Sequence, residues 1–100
     1  MKFLVTFEVF DTIIGDDVAP LRKAFAKQLD VIVKSGKLVT GGMIADKRGG
    51  FFVVEADSGA ELMGLLGEGM LDHCHVESHA IYEFEELIEF FKKTAPKHGK

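Results

Sequence analysis

The sequence predicts an α+β domain of ferredoxin-like architecture. Its β-α-β-β-α-β order builds an antiparallel four-stranded sheet, and an extra C-terminal helix follows. Three observations predict it. Four short segments have the residue types and alternation of β-strands, and amphipathic stretches of helical spacing follow the first and third. A charged, glycine-bearing connection joins the second strand to the third, as in a hairpin. One hundred residues hold a single core, so the chain reads as one domain, 1–100, with a tail from about residue 95 expected to fray.

The first strand runs from Phe3 to Phe10. Phe3, Val5, Phe7 and Val9 share a wholly apolar face suited to packing under helices. Leu4, Thr6, Glu8 and Phe10 form a mixed face. After a turn around Gly15, Asp16 or Asp17 is the expected N-cap of a helix with Pro20 in its first turn. Val18, Leu21, Phe25, Leu29, Ile32 and Val33 recur every three or four residues as its buried stripe, and Gly36 ends it. Strands follow over 37–45 and 50–56, separated by Asp46-Lys47-Arg48-Gly49. Gly41-Gly42 predicts a bulge or close backbone approach, and Phe51-Phe52-Val53-Val54 reads as an interior strand covered on both sides. A second helix is expected from about Ala60 to Leu66, weakened by Gly64 and Gly67. The fourth strand spans about 74–84, and helical spacing returns from Glu85 to Thr94. Right-handed crossovers place the first and third strands in the middle, with the fourth beside the first. Met43, Met63 and Met70 read as core filling.

Composition narrows the function. A net charge of -4 disfavours general binding to nucleic acid or anionic membranes, both of which need clustered Lys and Arg. No apolar run approaches the ~20 residues that cross a bilayer. The single Cys, Cys74, excludes an internal disulfide and a multi-cysteine metal site, and a reduced, cytoplasmic setting is the expectation.

The chemistry concentrates in His73-Cys74-His75-Val76-Glu77-Ser78-His79. On a strand, His73, His75, Glu77 and His79 share one face, while Cys74, Val76, Ser78 and Ala80 turn to the other as structural groups. An imidazole beside a carboxylate in a dry cleft titrates near neutral pH and can shuttle a proton, with no cofactor. The candidate catalytic residues are therefore His75, His79, Glu77 and Glu8, with Thr6, His73 and Tyr82 as candidate ligand contacts. The parity of Tyr82 is opposite to the His row and directs it towards the helix side as a core residue. A His-x-His pair can also hold a divalent metal. The row spans roughly 20 Å at ~3.3 Å per residue, so its four groups cannot meet at one ion. A third reading is a non-enzymatic assembly module in which the histidines pack or sense pH.

Two helices cover one side of such a sheet, and the His row falls on the other. A second copy laid against that side would bury its apolar groups and close a partly polar cavity. The expected partners are thus the chain itself and a small organic molecule.

Gly36-Lys37-Leu38-Val39-Thr40-Gly41-Gly42, with residues 49–58 reading GGFFVVEADS, resembles the dimeric α/β-barrel superfamily, in particular small YCII-related and muconolactone-isomerase-like proteins. The resemblance covers most of the chain and is one of structural pattern. It implies a ferredoxin-like dimer, a dimeric α/β barrel, with ligands bound between sheet and helices or inside the barrel. The His that YCII-type proteins carry near the start of the first helix is absent here, so their catalytic residues do not carry over.

Overall fold

The structure, a computed structural model, describes residues 1–94. His98 and the expected frayed tail lie outside the described residues. Strands β1 (Lys2–Val9), β2 (Leu38–Ile44), β3 (Gly49–Glu55) and β4 (Cys74–Ile81) alternate with helices α1 (Val18–Lys34), α2 (Gly59–Leu71) and α3 (Phe84–Thr94) in the expected order. The sheet runs β2-β3-β1-β4 and every neighbouring pair is antiparallel, which is the ferredoxin-like arrangement.

Hydrophobic alternation fixes the register. Val5 and Phe7 of β1, Phe52 and Val54 of β3, and Cys74 of β4 are all buried on the helix side. They form one core with Ile32 of α1 and with Leu62, Leu66 and Met70 of α2. A one-residue slip would turn this set out to solvent. Gly49 opens β3 where a β-carbon would run into the Phe7 carbonyl oxygen of β1, so only glycine allows the strands to approach so closely. The β2 bulge falls between Leu38 and Thr40, just before the glycine pair that signalled it.

The helices depart from expectation in detail. A 3-10 turn, Gly15–Asp17, precedes α1, and Asp17 occupies the N-cap position without a side-chain capping bond. Helix α2 continues to Leu71 because Leu66 and Met70 belong to the core, and the break is absorbed at Gly67 (φ 62°, ψ 176°). Gln28 Nε2 of α1 donates to the Leu65 carbonyl oxygen beside this kink, at 2.5 Å. Ser58 caps α2: the Glu61 N–H donates to Ser58 Oγ (3.1 Å), and Glu61 Oε1 accepts from the N–H of Asp57, the residue before the cap (2.8 Å).

Three expectations fail for want of cover. Met70 is fully buried, but Met43 and Met63 are 65% and 51% exposed: Met43 lies on the edge strand β2 beside an open groove, and Met63 is on the outer side of α2. Phe51 and Val53 are only half-buried, since the side of β3 away from the helices has nothing over it. Tyr82 is 72% exposed, for β4 ends at Ile81 and strand parity no longer governs the next residue. All described residues of α3 are exposed, and the described chain measures 65 × 27 × 20 Å.

Candidate functional site

The uncovered sheet face carries the predicted residues. The β1–β4 register sets Leu4 opposite His79, Thr6 opposite Glu77 and Glu8 opposite His75. Directly paired positions bring β-carbons to about 4.5–5.5 Å, so Glu8 and His75 are cross-strand neighbours on one face. The His75 ring meets Phe10 edge-on, with centroids 4.7 Å apart and planes at 89°, which restricts its orientation. His79 Nε2 lies 3.6 Å from Glu77 Oε1 along the same strand, and both side chains are largely exposed.

Thr6, Glu8, Ile44, Lys47, His75 and Glu77 line a cleft of about 300 Å³ on this face. It combines two carboxylates, an imidazole, a hydroxyl and an ammonium. The sequence reading missed Lys47. It sits in the β2–β3 turn, and the pairing of Gly49 with Glu8 swings that turn towards the carboxylate. A hairpin register worked out from the glycine pair could have found it.

His73 and Tyr82 stand apart from this cleft. His73 precedes β4, and its Nδ1 donates to the Gly69 carbonyl oxygen (3.0 Å), closing the C-terminal end of α2 instead of extending the row. Tyr82 lines a separate hollow of about 340 Å³ with Glu86, Leu87 and Phe90 on α3. Cys74 is buried under the helices, and burial pushes its thiol up to about 11, which makes it a poor nucleophile near neutral pH. Among the described residues no group of three or more His, Cys, Asp or Glu side chains could hold a metal ion. Among them, too, no helix is long and apolar enough to cross a membrane.

Two further hollows, of about 230 and 360 Å³, lie on the helix side beneath α1. They share Phe7, Leu29 and Met43 and so form one apolar groove, with Arg22 and Arg48 at one end. The groove offers no acid–base pair. The titratable candidates lie on the uncovered face.

No family model and no curated protein matches the sequence. Among solved structures, muconolactone isomerase superposes with a TM-score of 0.68, covering 100% of this chain and 98% of that one at 13% identity. The chain carries the fold of muconolactone isomerase. At that identity the likeness is one of architecture, and the residues of the site must be judged on their own chemistry.

Proposed function

We propose that this chain is a homodimer whose protomers oppose their uncovered sheet faces, and that the cleft between them holds a small organic molecule on which it moves a proton. The observation that carries this reading is the pairing of Glu8 with His75 on a half-apolar face, with Lys47 and Thr6 bounding the same cleft.

Leu4, Phe51, Val53 and Ile81 are half-buried on that face and would be dried by a second sheet. Drying strengthens every charge interaction inside the cleft. An unsaturated acid or lactone fits the groups present. Lys47 would neutralise its carboxylate or developing enolate, and Thr6 would donate to a carbonyl oxygen. The neutral His75 ring would take a proton from the carbon next to the carbonyl. It would then return the proton further along the conjugated system, with Glu8 stabilising the imidazolium in between. The double bond shifts, no atom is gained or lost, and no cofactor is consumed. Glu77 and His79 would tune the site from its rim.

The test is deuterium incorporation into a panel of small unsaturated acids and lactones in D₂O, followed by NMR. Wild type should label at least one, and His75→Ala should stop labelling while sedimenting as wild type does. If His75→Ala and His79→Ala both bind and label normally, the site is elsewhere. The purely structural reading of the histidines makes a different forecast: association weakens at pH 5.5 relative to pH 8, as protonated rings repel, and no compound is labelled.

A further inference from the structure

Helix α3 is built like a core helix yet covers nothing. Phe84 is 81% exposed, Leu87 37%, Ile88 51%, Phe90 58% and Phe91 58%. The turn into it is tied to the sheet by Lys2 Nζ, 3.0 Å from Glu83 Oε2. Such a stripe left in water would be a cost without return. Its polar side is mainly acidic, with Glu85, Glu86 and Glu89 ahead of Lys92 and Lys93. A helix that lies on anionic lipid carries Lys and Arg there instead.

The same protomer holds a surface with the opposite character. The groove beneath α1 is walled by Phe7, Phe25, Leu29 and Met43, and its end is framed by Arg22 and Arg48. Arg48 is anchored by donating from Nη2 to the Ile13 carbonyl oxygen at 2.7 Å. Lys23 and Lys27 stand exposed on the neighbouring turns of α1. An acidic helix with an apolar stripe and a basic-rimmed apolar groove are complementary in both polarity and charge.

We infer that α3 of one copy seats in the α1 groove of a second copy, the exchange being reciprocal about a two-fold axis. Such an isologous contact closes on itself and leaves no free stripe. The area is sufficient. With aromatic side chains burying roughly 150–250 Å² each, the exposed part of one stripe amounts to roughly 500 Å². Counting both helices and both grooves gives on the order of 2,000 Å², the size of a stable interface. This goes beyond the catalytic reading and shares with it only the need for a second copy, since α3 and the groove lie off the Glu8–His75 cleft.

The test mixes two single variants of the full chain, Phe90→Cys and Met43→Cys, one of them carrying a size tag, under mild oxidation. Buried Cys74 does not compete. The expected products are cross-linked pairs holding one chain of each kind. In parallel, Phe90→Glu should raise the dimer dissociation constant about 30-fold or more, the loss that one buried aromatic anchor carries. Only like-with-like cross-links, or an unchanged dissociation constant for Phe90→Glu, overturns the inference. So does a wild-type monomer that floats with anionic phosphatidylserine vesicles through α3. Failure of proton transfer in the labelling experiment leaves the cross-link result standing, so the two readings are separable.

Discussion

Replacing Gly67 with Ala tests how α2 is fitted to the core. The residue sits at φ 62° and ψ 176°, a region that side-chain-bearing residues occupy at a cost of order 1–3 kcal/mol. A β-carbon there would also collide with the Gln28 side-chain amide. Gln28 can move aside, but in doing so it abandons the Leu65 carbonyl oxygen and forfeits a hydrogen bond worth about 1 kcal/mol net. The two effects sum to about 2–4 kcal/mol. For a domain of this size that lowers the melting temperature by on the order of 10–25 °C, at fixed protein concentration. Calorimetry on Gly67→Ala, Gln28→Ala and the double variant would measure it. The double variant should lose less than the sum of the singles, because the new methyl has already displaced Gln28. A Gly67→Ala protein within about 0.5 kcal/mol of wild type would refute the argument, since surface changes without a mechanism fall in that range.

Other expectations follow from burial and charge. Met70→Ala should cost about 2–5 kcal/mol in urea unfolding, because Met70 is fully buried between α2 and the sheet. The Asp57 N–H bonded to Glu61, with Lys37 adding its charge, holds the Glu61 carboxyl below its ordinary 4.5. Its contribution is therefore present above pH 4.5 and is lost as pH falls through the depressed value, so Glu61→Gln should flatten the acid limb of a stability–pH curve. Cys74 should resist a thiol reagent at pH 8 in the native protein and react at once in denaturant, because burial holds it protonated.

Much of the fold was legible because its periodicities are unmixed. The Phe3–Phe10 alternation and the stripe from Val18 to Ile32 each specify one element and one face, though Val33, also expected in that stripe, is 59% exposed. The order of the strands then followed from chain connectivity. Where the reading failed, an open sheet edge or a local backbone event was in control. Parity could not place His73 or Tyr82, since each lies just outside β4, where a carbonyl of α2 or the turn into α3 decides direction. Met43 looks like core in sequence and is exposed because it sits on the edge strand β2, where the groove beside α1 is open. Lys47 was hidden by its place in a turn, a position that composition marks as solvent and register brings beside Glu8.

Of the four strands, the one that comes first along the chain lies inside the sheet. β1 pairs on one side with β3 and on the other with β4, Lys2 lying opposite both Glu55 and Ile81. A chain emerging from the ribosome must therefore carry Phe3, Val5 and Phe7 without strand neighbours until β3 has been made. Closing those distant pairings is slow compared with forming helices. Assembly of this small sheet closes on β1, and the interval before then is when chaperones would find it.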